Sequence, residues 1–74
     1  MPQFEVELDR PALFRGLVRG LDIEDAVRRA AGMPRDAELA ISPDHEIDGW
    51  RTVRLAGADI GRARAFQRMR FRRD

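Results

Sequence analysis

Both ends of this chain change chemistry at every second residue. Phe4, Val6 and Leu8 alternate with Glu5, Glu7 and Asp9. Successive side chains of an extended backbone point to opposite sides, so this is the pattern of a strand with one buried and one solvated face. A strand alone has no stability in water, and the pattern therefore demands a sheet. The last stretch, GRARAFQRMRFRRD, obeys the same rule. Ala63, Ala65, Gln67, Met69 and Phe71 fall on one side; Arg62, Arg64, Phe66, Arg68, Arg70 and Arg72 fall on the other. Placed on a helix, the apolar Ile60, Ala63, Phe66, Met69 and Phe71 scatter among the arginines instead. Ala, Arg, Gln and Met do favour helices, which makes a C-terminal helix the alternative. The alternation predicts a strand over 61–70, ending in a tail.

Between these ends the sequence predicts two helices. Asp9 stands two residues before Pro11, and Pro suits a first helical turn. Leu13, Phe14, Leu17, Val18 and Leu21 then recur on one face with Arg15 and Arg19 on the other, a helix over 11–20 weakened by Gly16. Asp22 is placed to cap a second helix, with Glu24 and Asp25 in its first turn and Arg28 and Arg29 in its last, as the helix dipole favours. Ile23, Ala26, Val27, Ala30 and Ala31 form its apolar stripe. Gly32 is positioned as a left-handed stop, and Pro34 blocks continuation. Residues 37–42 and 50–55 read as short strands joined through the turn residues of 43–49, and 56–59 as another turn. The expected architecture is one α+β domain over 1–74 in the order β-α-α-β-β-β, an antiparallel sheet with two helices packed on one face.

Seventy-four residues are too few for two cores. Small scaffolds usually carry disulfides, a metal or a partner subunit. With no cysteine, disulfides and thiolate metal sites are excluded, so stability must come from an efficient core or from association. The start, MPQFEVELDR, has no basic leader pattern, and no apolar run approaches the roughly 20 residues of a membrane span. These features predict a cytoplasmic chain with no membrane partner.

The net charge of +1 conceals a strong polarity. Residues 1–48 hold six arginines against eleven acids, a net −5, and residues 49–74 hold eight arginines against two, a net +6. All fourteen basic residues are arginine. Its planar fork suits phosphates and carboxylates better than an ammonium does, although biased codon usage explains the missing lysine better than selection for such contacts.

The inventory for catalysis is poor. Ser42, Asp44 and His45 crowd into one turn with Pro43 and Glu46, whereas a triad is assembled from residues that a fold brings together. The run DHEIDG resembles the opening of a calcium loop through Asp44, Glu46, Asp48 and Gly49, yet its twelfth position is Leu55 where a bidentate Glu is needed. No phosphate-cradling glycine motif is present, and Tyr and Lys are absent. The sequence predicts no enzyme, no catalytic residue, no cofactor, no metal and no small-molecule substrate.

Two binding functions remain. A strand bearing Arg62, Arg64, Arg68, Arg70 and Arg72 would space its guanidinium groups about 6.5–7 Å apart, close to the phosphate spacing of a nucleic-acid strand. Arg73 extends that patch, Arg51 and Arg54 widen it, and Trp50 and Phe66 offer rings for base stacking. This points to a nucleic-acid-binding or nucleic-acid-associated regulator. The alternative is a protein-binding adaptor or inhibitor, or a homodimer, steered by the polarised charge; acids such as Glu24, Asp25, Asp44 and Glu46 could then be decisive. Against both stands internal neutralisation, in which the acidic and basic halves simply face one another.

Overall fold

The computed structural model describes residues 1–66. Its elements are β1 (Gln3–Leu8), β2 (Phe14–Arg19), α1 (Ile23–Ala31), β3 (Leu39–Ile41), β4 (Arg51–Leu55) and β5 (Ala58–Ala65), with a single 3-10 turn at Ile47–Gly49. The five strands form one antiparallel sheet in the order β2-β1-β5-β4-β3.

The expected order with two helices is overturned: one helix is present among the described residues, and 11–20 forms strand β2 instead of the first helix. The leucines that suggest a helical stripe also fit a strand, because 13, 17 and 21 share one parity. Phe14, Gly16 and Val18 stand opposite Leu8, Val6 and Phe4, so β2 supplies the partner β1 needs. Glycine disfavours a helix interior by about 1 kcal/mol, and the ladder with β1 decides the matter. Pro11 lies in the β1–β2 connection, where the Arg10–Pro11 bond is cis.

The second helix forms where its end signals lie. The Asp22 carboxylate accepts the Asp25 amide at 2.8 Å, and Gly32 closes the helix at φ 66° with its N–H on the last turn's carbonyls. Asp25 reaches back past the cap and accepts the Leu21 amide at 2.8 Å, tying the end of β2 to the helix. That bond, with the Arg29 guanidinium added, holds the Asp25 carboxyl below its ordinary range. Arg28 donates to the Pro34 and Ala37 carbonyls at 2.8 and 3.1 Å and so straps the following loop to the helix.

Ala26 and Val27 are fully buried, and α1 lies across one face of the sheet. The core comprises Phe4, Val6 and Leu8 of β1, Ala26 and Val27, Val53 of β4, and Ile60 and Ala63 of β5. Alternation in β1 is thus read correctly: its even residues are the centre of the core. A bulge between Val53 and Arg54 lets Ile60 join this face, where it is 2 % exposed. Gly61 permits the β1–β5 approach, since a Cβ there would run into the Glu7 carbonyl oxygen and lie 2.8 Å from the Leu8 Cα.

The β4–β5 hairpin turns on Ala56 and Gly57, both at positive φ, 51° and 83°. No helix among the described residues is long and apolar enough to cross a membrane.

Candidate functional site

Among the described residues a helix covers one face of the sheet, and the charged side chains of β1 and β5 meet on the other. Glu5 stands opposite Arg64, and Glu7 opposite Arg62. Each arginine donates from Nε to its glutamate at 2.9 Å. Arg15 of β2 approaches the same Glu7 from the other side, at 3.7 Å. Two glutamates of the acidic half and two arginines of the basic half therefore neutralise one another across neighbouring strands.

Trp50, immediately before β4, lies beneath these arginines. The Arg62 and Arg64 guanidinium carbons stand 4.0 and 4.2 Å from its ring centroid, within cation–π range. Covered in this way the indole is 7 % exposed. It is absent from the core cluster on the helix side and is covered by the two arginines instead. Arg64 also donates from an Nη to the Asp48 carbonyl at 2.9 Å, which fixes the 3-10 turn beside the tryptophan.

The arginine face consequently differs from a bare phosphate-binding strip. Arg62 and Arg64 do share one face of β5 with Phe66, as the alternation predicts, but both are committed to glutamates and to Trp50. Trp50 is buried and offers no open ring for a base. Arg54 pairs with Asp59 at 2.7 Å. Arg51 stands opposite Ala63, on the other side of the sheet from Arg62, and anchors the 42–43 carbonyls. Phe66 remains 37 % exposed at the end of β5. Arg68, Arg70, Arg72 and Arg73 lie outside the described residues, as does the predicted strand beyond 66.

A half-open groove of about 730 Å³ runs over the outer face and the β1–β2 turn. Four carboxylates, Glu7, Asp9, Glu46 and Asp59, line it against two arginines, Arg15 and Arg62. That balance does not favour an anion. In the neighbouring turn the Ser42 hydroxyl donates to the Asp44 carbonyl at 3.0 Å and His45 contacts the Glu46 carbonyl, so neither aims at the other. The carboxylates of that loop do not gather: among the described residues no three acid or histidine side chains cluster as metal ligands would.

What the helical reading of 11–20 hides is an open edge. Strand β2 borders the sheet, and Leu13, Leu17 and Leu21 along it are 85, 48 and 73 % exposed. As a helix those leucines would be buried. The signal for the strand is the parity of the stretch: small or apolar Phe14, Gly16, Val18 and Gly20 at even places, Leu-Arg-Leu-Arg-Leu at odd ones.

No protein-family model, curated protein or solved structure matches this chain.

Proposed function

We propose that this chain is a small, non-enzymatic protein-binding module that docks through the open β2 edge. One observation carries the reading: three exposed leucines line the only long free edge among the described strands, β3 at the other border having three residues. A free strand edge presents unpaired backbone groups ready for a partner, and leucines left uncovered along it give that partner apolar side chains to bury. The competing nucleic-acid reading loses support from Arg62 and Arg64, which are already paired with carboxylates.

A photo-cross-linking residue at position 17, in cells that make the protein, tests this proposal, with Ala40 on β3 as the control position. Adducts to another protein from position 17 and none from position 40 are expected. Adducts to nucleic acid, or none to any protein, would overturn the reading.

A further inference from the structure

The β2 edge has a definite backbone phase. Gly20 donates to the Pro2 carbonyl at 3.2 Å, and the β1–β2 register sets these two residues opposite each other. In an antiparallel ladder, directly bonded pairs alternate with unbonded ones. Phe14, Gly16 and Val18 therefore spend their N–H and C=O groups on β1, whereas Arg15, Leu17 and Arg19 turn theirs to the open side. The same three residues share the outer face, opposite Glu7, Glu5 and Gln3. With the flanking leucines included, the edge reads Leu13, Arg15, Leu17, Arg19, Leu21.

Arg15 is 83 % exposed, and its 3.7 Å contact is with a glutamate that Arg62 already holds at 2.9 Å. Arg19 has no ion-pair partner among the described residues. Two cations with charge to offer thus flank Leu17 on an unpaired strand, with Leu13 and Leu21 uncovered just beyond its two ends. The Leu21 amide is held by Asp25, so the free backbone groups are those of Arg15, Leu17 and Arg19.

Resting on the protein-docking reading above, we infer that β2 takes an extended segment of another protein as a sixth strand of the sheet. That segment carries carboxylates opposite Arg15 and Arg19 and apolar side chains opposite the leucines. Charge complementarity selects this occupant over a second copy. The edge pattern is a palindrome about Leu17. An antiparallel copy placed to match leucine with leucine sets Arg15 against the partner's Arg19 on both sides of the centre, and like charges directly opposite are unfavourable. Shifting that copy by one pleat puts leucine against arginine throughout. An acidic–apolar strand satisfies every position, as β1 already does where Glu7 faces Arg15.

The test uses a labelled synthetic peptide alternating leucine and glutamate on one face with threonine on the other, and a control with arginine replacing glutamate. The acidic peptide should bind about tenfold more tightly or better, from two attractive pairs replacing two repulsive ones. Its binding should protect the Arg15, Leu17 and Arg19 amides from hydrogen exchange. The double variant R15E/R19E should reverse the preference. Leu17→Pro should abolish binding while leaving the β1–β2 ladder whole, because the amide it removes points outward. Equal binding of both peptides, no binding, protection elsewhere, or a homodimer closed by these amides would overturn the inference. Protein adducts from position 17 without peptide binding would remove this partner chemistry and leave the docking reading standing; absence of both would remove the two together.

Discussion

Arg64 donates from Nε to Glu5 at 2.9 Å directly across the β1–β5 pair, joining residues 59 places apart in sequence. The bond lies on the outer face, and both side chains are about 30 % exposed, 29 and 30 %. Together with Arg62 and Glu7 it converts two segments of opposite charge into a neutral patch roofed over Trp50. Orientation is the main product of such pairs, since partly exposed ion pairs contribute only about 0–1 kcal/mol. They favour β1 beside β5 in this register, and they occupy the Nε donors of two arginines.

Releasing those arginines should strengthen polyanion binding at the outer face. The double variant E5Q/E7Q keeps the shape of both side chains and raises the net charge from +1 by two. Its stability should fall by about 1 kcal/mol or less in urea. Its affinity for a labelled oligonucleotide should rise, with a salt slope steeper by about 2 as two further phosphates are neutralised. An unchanged slope would mean that Glu5 and Glu7 are not what restrains Arg62 and Arg64.

Trp50 is the chain's single tryptophan and reports directly on this patch. Its emission should be blue-shifted and shielded from acrylamide, then shift red on unfolding. Replacing it with Ala should cost about 3–5 kcal/mol, the usual range for a buried aromatic. R62Q and R64Q should each expose the ring to quencher with a smaller loss, about 0.5–1 kcal/mol from the lost cation–π contact. A freely quenched tryptophan in the parent would contradict the packing.

Much of the helix side was legible in the sequence, because its signals are local. Asp22, Gly32 and the stripe of Ile23, Ala26 and Val27 are cap and period signals that need no distant partner. Phe4, Val6 and Leu8 were legible for the same reason. Strand β2 was not, because residues 13–21 satisfy a helical stripe and a period-two strand at once. What separates the two is the vacancy beside β1, a tertiary fact. Arg62 and Arg64 were legible as one face of a strand, which runs to Ala65, while their partners were not, since Glu5 and Glu7 lie more than fifty residues away. Only the opposite charges of the two halves hinted at that neutralisation.

The β4–β5 turn carries a correctable strain. Ala56 sits at φ 51° in a two-residue loop between the paired Leu55 and Ala58. L-residues other than Asn and Asp pay for that left-handed conformation, and Asn-Gly is the favoured pair for hairpin turns with both φ positive. Ala56→Asn should raise stability by about 0.5–1 kcal/mol, seen as a higher urea midpoint at unchanged slope. A loss of stability would show that the Ala56 backbone is not held in this conformation in solution.

The acid limb of the stability curve should carry the signature of Asp25. Its carboxylate accepts the Leu21 amide at 2.8 Å and the Arg29 Nε at 3.0 Å, and both favour the charged form. Its folded pKa is therefore lowered, by the Leu21 bond first and Arg29 second. A group whose pKa is lower folded than unfolded contributes stability above its unfolded value, about 3.9 for Asp, and loses it as pH falls through the folded value. Asp25→Asn keeps an acceptor but removes the charge. The parent should exceed this variant in stability near neutral pH, and the two curves should converge as pH drops below about 4. Urea unfolding followed by Trp50 emission across that range measures the difference. A gap that stayed constant down to the lowest pH would show that the charge on Asp25 contributes nothing to joining β2 and α1.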